Sequence, residues 1–265
     1  LDKQLKASTK YARENGVVLK GDIPIGIYRN SVDAWVSPQL YNMESQAGAP
    51  PDDFSVTGQN WGFPTYNWDE MSKNDYAWWK MRLQKMADYF DVFRIDHILG
   101  FFRIWEIPID AVEGLLGYFN PSLPFSIDEL KHKGIAFDYD RLCKPFVRDF
   151  MLKEIFGDLS DQVIHTFFDH QYYDAYQFKD DFNTQRKLKS YFDELIDKDP
   201  GSAEHNNFLR FQLYRIAAEV IFLEAPFSNK QAFNPRIAFH STYSYQALDE
   251  YTRWQLDKLY IEYYY

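Results

Sequence analysis

The sequence contains one cysteine, Cys143, among 265 residues. It cannot form an internal disulfide, which fits a reducing compartment. No apolar run reaches the length of about 18 residues that a membrane-crossing helix needs, and the first residues carry no signal-peptide pattern. Basic residues are the minority, 29 Lys and Arg against 39 Asp and Glu, for a formal net charge of −10. Nucleic-acid backbones and anionic membranes select clustered Lys and Arg, and no dense basic run occurs, so neither is an expected partner. P-loop, dinucleotide and Ser-His-Asp patterns are absent, as are internal repeats and low-complexity tracts. These absences leave a globular protein in a cytoplasmic setting as the expectation.

What the chain does have is aromatic residues, 19% of the total, within an ordinary 46% hydrophobic content. Flat aromatic faces suit stacking on sugar rings, and aromatic side chains also fill cores. Composition leaves both open. The length suffices for one large or two small domains with a real core.

Residues 1–16 read as an amphipathic helix ending at Gly16, a glycine suited to a helix C-terminus. VVLKGDIPIGI follows as a strand-like run. Residues 28–68, rich in Pro, Gly, Asn, Ser and Trp, read as a long ordered loop with short helical pieces, and loops of that length are usually functional. The segment 69–91 predicts one helix whose apolar face is Tyr76, Trp79, Leu83, Met86 and Phe90. A short strand, DVFRID, comes next. Helix–strand–loop–helix–strand is the alternation of a parallel α/β arrangement. Beyond about Val112, amphipathic patterns dominate at 141–157, 186–199 and 206–224, separated by Pro, Gly and Asn. The expected division is therefore an α/β segment over 1–110 and a mainly helical subdomain over 111–265. Neither end shows a natural start or stop signal, and an internal fragment is expected.

The residues most able to carry chemistry lie in FRIDHILGF. Side chains alternate along a strand, so Arg94 and Asp96 share a face. A guanidinium beside a carboxylate favours its ionised form, which is the form that attacks an anomeric carbon. A structural Arg–Asp ion pair at a strand end, with His97 as a helix cap, accounts for the same residues.

Four blocks, GDIPIGI at 21–27, SVDAWVSPQLYN at 31–42, AGAPPDDFSVTGQNWGFPTYNW at 47–68 and FRIDHILGFFRIWEIP at 93–108, occur in that order. Together they closely resemble the amylomaltase family of 4-α-glucanotransferases, retaining enzymes of the α-amylase clan built on a (β/α)₈ barrel. The resemblance implies a partial barrel segment followed by a helical insertion. It implies transfer of α-1,4-glucan segments between maltooligosaccharides or glucans, with no cofactor and no metal. Asp96 matches the family nucleophile and Arg94 the residue that holds it ionised and in place. Asp22, Gln59, Trp61 and His97 match substrate-binding positions. A turn cap for Asp22 and burial as loop core for Trp61 remain open.

The family's general-acid segment, of AEDLG or GEDLG type, has no match, and Glu106 reads as structural. One of the two carboxyls of a retaining pair is thus present, so the isolated chain is expected to be catalytically silent. The long helical half resembles larger two-module relatives, the plant cytosolic disproportionating enzymes, which act on maltose and soluble heteroglycans. A non-catalytic glucan-binding module and a hydrolase of the same clan are the competing readings. Uncovered barrel edges imply self-association of the chain. His165, Asp169 and His170 offer a weak metal pattern on one helix face, and more often such a cluster is solvated surface. Cys143 reads as core.

Overall fold

The computed structural model describes residues 1–265 and is mixed helix and sheet. The chain forms two compact units, residues 1–47 with 61–106 and residues 48–60 with 107–265. The expected division after residue 110 does not anticipate that 48–60 group with the second unit.

In the first unit, the helix Asp2–Glu14 stops where Gly16 takes φ +72°. The Val17 amide then reaches back to the Ala12 carbonyl at 2.9 Å, capping the last turn. The strand Lys20–Ile23 pairs in parallel with Val92–Ile95, with Asp22 opposite Arg94 and Ile23 opposite Ile95. Gly21 and Ile23 face inward while Lys20 and Asp22 face out, the period-two alternation of a strand. Every residue of Val92–Ile95 is exposed. A parallel pair needs a long crossover, and residues 24–91 supply it.

That crossover is more regular than the loop expected from composition. It holds a helix, Val32–Val36, whose first turn is capped by the Ser31 hydroxyl, and an antiparallel pairing of Tyr41–Asn42 with Thr65–Tyr66. The aromatic excess is partly core. Tyr66 lies 5.1 to 5.9 Å, centroid to centroid, from Trp68, Trp78, Trp79 and Tyr41, beside buried Ile23, Leu40 and Met71. The single helix expected over 69–91 is two, Trp68–Ser72 and Ala77–Ala87. Asp75 and Tyr76 adopt left-handed φ values of 57° and 56° between them. Two local bonds compete with helix continuation there. The Tyr76 amide closes onto Met71 O at 2.9 Å, and Asn74 Oδ1 accepts from the Ala77 amide at 3.3 Å. Of the expected apolar face, Trp79 is buried, whereas Tyr76 and Leu83 are exposed.

The second unit has two apolar cores. One gathers Leu152, Phe167, Leu188, Phe192 and Leu213 from the helices Asp149–Phe156, Ser160–Phe167, Gln185–Lys198 and Ala203–Ala217. The other joins Leu130, Phe222, Phe233 and Phe239 to Leu256 and Leu259 of the helix Glu250–Tyr264. Strands accompany these helices. Ala232–Pro235 pairs antiparallel with both Phe222–Glu224 and Phe125–Ser126, and Phe168–His170 pairs with Tyr176–Phe178. The pattern at 141–157 is broken at Pro145 into Tyr139–Leu142 and Asp149–Phe156, because proline removes an amide donor and clashes with the preceding turn. The pattern at 206–224 is helical only to Ala217, and its tail is the strand Phe222–Glu224.

Gly48 sits opposite Asn60 in the short antiparallel pairing of this unit. A Cβ at Gly48 would collide with the Gln59 carbonyl oxygen and lie 2.6 Å from Ile107 Cδ1. Backbone cannot yield as a flexible side chain can. Gly48→Ala is therefore expected to destabilise the chain by about 1–3 kcal/mol, the cost of overpacking, read as a lower midpoint in urea unfolding.

Candidate functional site

Asp96 follows the strand Val92–Ile95 directly, and its amide still donates to Ile23 O at 3.1 Å. The parallel ladder therefore fixes the backbone at the strand's C-terminal end while the chain turns away. The turn is made by His97 in the left-handed region, φ 49°, before the short 3₁₀ turn Ile98–Phe101. A non-glycine residue at positive φ is uncommon, and such conformations cluster at functional sites. Gly100 is required beneath it, since a Cβ there would lie 2.6 Å from the His97 ring. The Asp96 carboxylate is exposed and makes no hydrogen bond or ion pair.

Two of the other expected residues meet each other instead. Arg94 Nε binds Asp22 Oδ1 at 2.9 Å across the ladder. The ion pair that Arg94 makes is thus with Asp22, which follows from register, because Asp22 and Arg94 are opposite one another and point the same way. Both side chains are more than half exposed, at 53% and 58%. At that exposure the pair is worth at most about 1 kcal/mol.

Trp61 is half-buried and its ring stands edge-on to His97 at 5.1 Å. It also stacks on Phe63 at 5.7 Å, and both pack against buried Ile25, Ala47 and Ile104. The Trp61 amide is held by Ala47 O at 3.0 Å. Trp61 is thus anchored on one side and next to the residue that follows Asp96. The first unit therefore gathers Trp61 with His97, and Asp22 with Arg94, around the strand end that carries Asp96. Gln59 belongs to the second unit, exposed on the short strand Gln59–Asn60.

Glu106 is 5% exposed and accepts a hydrogen bond from Thr65 Oγ1 at 3.0 Å, a structural placement. Cys143 packs against the second apolar core, and burial pushes its thiol up to about 12, away from a reactive thiolate. The metal pattern is not a helix face: His165 is on Ser160–Phe167, whereas Asp169 and His170 are on a strand. No group of three or more ligating side chains is arranged to hold a metal.

One set of charged residues escaped the sequence reading. Glu113 is largely buried in the second unit, and burial raises its carboxyl to about 7 against the pull of Arg215 and Arg236. Arg236 is 4% exposed and donates from Nη1 to the carbonyls of Ile237 and Ala238 at 3.0 Å. The available signal was a lone acid in the apolar run 111–119.

A family model described as 4-alpha-glucanotransferase matches residues 1–237. A rice protein (Oryza sativa subsp. japonica), 4-alpha-glucanotransferase DPE2, is 43% identical over 262 residues, 99% of this chain and 27% of that protein. A 4-alpha-glucanotransferase of Aquifex aeolicus is 38% identical over 150 residues, covering 48% of this chain and 31% of its own length. Among solved structures, an amylomaltase from Streptococcus agalactiae in complex with acarbose is 38% identical with a TM-score of 0.43, covering 44% of this chain and 25% of that one. The chain belongs to the 4-alpha-glucanotransferase family. It spans about a quarter to a third of the length of these relatives. No helix is long and apolar enough to cross a membrane.

Proposed function

We propose that the protein carrying this chain transfers α-1,4-glucan segments between maltooligosaccharides or soluble glucans with retention, using Asp96 as nucleophile. The carboxylate of Asp96 attacks the anomeric carbon and the glycosidic bond breaks. The leaving oxygen takes a proton from a second carboxylic acid supplied outside this chain. A sugar hydroxyl then attacks the glycosyl–Asp96 ester, returns its proton to that second group and frees Asp96. The family match over residues 1–237, which includes Asp96, carries this reading. An exposed, unpaired carboxylate at a parallel strand end supports it.

In this reading Lys20–Ile23 and Val92–Ile95 are neighbouring strands of a (β/α)₈ barrel, whose reactive face lies at the strands' C-terminal ends. His97 donates to sugar hydroxyls and Trp61 presents a flat face beside it. Asp22 and Gln59 each act as substrate-binding residues, and Arg94 holds the nucleophile Asp96 in place. The exposed Val92, Phe93 and Ile95 support self-association of the chain on its own. The lone, half-buried cysteine supports a reducing, cytoplasmic setting.

The test is incubation of the full-length protein with maltotriose. Glucose together with maltotetraose and longer products is expected, and no turnover is expected from the 265-residue chain alone. Glucose and maltose without longer products would make the protein a hydrolase. Binding with no products from the full-length protein would make it a glucan-binding module.

A further inference from the structure

A cleft of about 220 Å³ opens in the second unit between residues 138–148 and the hairpin formed by Phe168–His170 and Tyr176–Phe178. We propose that it is an auxiliary binding site for a neutral glycan, one or two sugar units of an α-1,4-glucan. The choice of glucan rests on the function proposed above, whereas the choice of a neutral polyol rests on the cleft itself.

Its walls are built in advance. The Tyr176 amide donates to Val147 O at 3.1 Å, the Asp149 amide to Asp174 O at 2.9 Å and the Gln171 amide to Ala175 O at 2.9 Å. Phe146 is among the residues that line the cleft, and its ring carries the guanidinium of Arg141 at 4.4 Å and that of Arg148 at 5.0 Å. Charge decides the class of ligand. Arg148 is paired with Asp174 at 3.1 Å and Lys144 with Asp140 at 2.8 Å, while Arg141 donates to the Ser244 hydroxyl and carbonyl at 2.8 and 2.7 Å. With Asp138, which also lines the cleft, the acids Asp138, Asp140 and Asp174 balance the cations Arg141, Lys144 and Arg148, so no net charge selects an anion or a cation. A hydroxyl, donor and acceptor at once, can share those pairs. The rim adds the planar amides of Gln171 and Gln177, both exposed. Tyr172, 61% exposed, adds an aromatic ring of the kind that covers the apolar face of a pyranose. The volume is below the roughly 300–1,000 Å³ of a pocket for a drug-sized ligand, which matches a short stretch of sugar.

The experiment is calorimetric titration of the 265-residue chain with maltoheptaose. Tyr172→Ala is expected to weaken binding at least tenfold, and Gln177→Ala severalfold, with the melting temperature unchanged because both side chains are exposed. Trp254→Ala, at an exposed tryptophan of the same unit that lines no wall of the cleft, is expected to leave the affinity within about twofold, because substitutions without shared partners act independently. Absence of maltoheptaose binding, or binding that survives Tyr172→Ala and is lost with Trp61→Ala, would overturn the proposal and leave the transferase reading intact. Loss of binding with Tyr172→Ala in a protein that shows no transfer at full length would keep the glycan site and remove the transferase reading.

Discussion

Asp96→Asn in the full-length protein is expected to lower maltotriose turnover at least a thousandfold, about 4 kcal/mol of transition-state stabilisation. What separates chemistry from structure at this position is what the carboxylate does not do. It accepts no hydrogen bond and pairs with no cation, so the amide replacement removes no contact and adds no volume. The nearby guanidinium of Arg94 is engaged by Asp22, so neutralising Asp96 orphans no partner. The backbone anchor, the Asp96 amide to Ile23 O, is indifferent to the side chain. Folding stability should therefore stay within about 0.5 kcal/mol, the usual range for exposed positions. A structural aspartate would give the opposite pair of results, a lower melting temperature and near-normal turnover. The measurement is initial glucose release at saturating maltotriose, alongside a thermal melt of the same preparations. Retained turnover above a tenth of the parent rate would remove Asp96 from the chemistry.

The strand bearing Asp96 was legible because its determinants are local: a β-branched and aromatic run ending in a charged residue. The partner of Arg94 was not, since it depends on which strand lies alongside and in what register, and Asp22 is 72 positions earlier. The break at Asp75 and Tyr76 was hidden for another reason. The apolar spacing continues through it, and the interruption comes from Asn74 and the Met71 carbonyl competing for backbone partners. In the second unit the helix Gln185–Lys198 was plain from its amphipathic period. The Phe222–Glu224 strand was concealed, because a short apolar run after a helix has the same composition in either state. The cleft joins residues 138–148 to residues 171–177, segments distant in sequence, and has no linear signature.

The second large effect is expected at Glu113, where Glu113→Gln should make the chain more stable above pH 7. Burial raises the folded-state carboxyl from 4.5 to about 7, and the opposing charges of Arg215 and Arg236 do not restore it. Its Oε2 is buried without a hydrogen-bond partner. Below about pH 4.5 the carboxyl is protonated in both states and its contribution to stability is fully present. As pH rises, the unfolded chain releases this proton first, and the folded chain releases it only near 7. That part of the stability is therefore lost between pH 4.5 and about 7 and stays lost above. The window corresponds to about 3 kcal/mol, at about 1.36 kcal/mol per pKa unit. Gln keeps the shape and cannot ionise, so the variant should escape the loss. Exposed carboxylates such as Asp91 and Asp249, whose pKa values are lowered by local hydrogen bonds, give the whole protein an opposite trend at acid pH. The informative quantity is thus the difference between variant and parent, which cancels them. Urea unfolding at about pH 5 and about pH 8, on either side of most of that window, should give similar midpoints at the lower pH and a higher midpoint for Glu113→Gln at the upper. Equal midpoints at the upper pH would mean that Arg215 and Arg236 stabilise the ionised carboxylate enough to offset its burial, and that the two arginines hold it as a true ion pair.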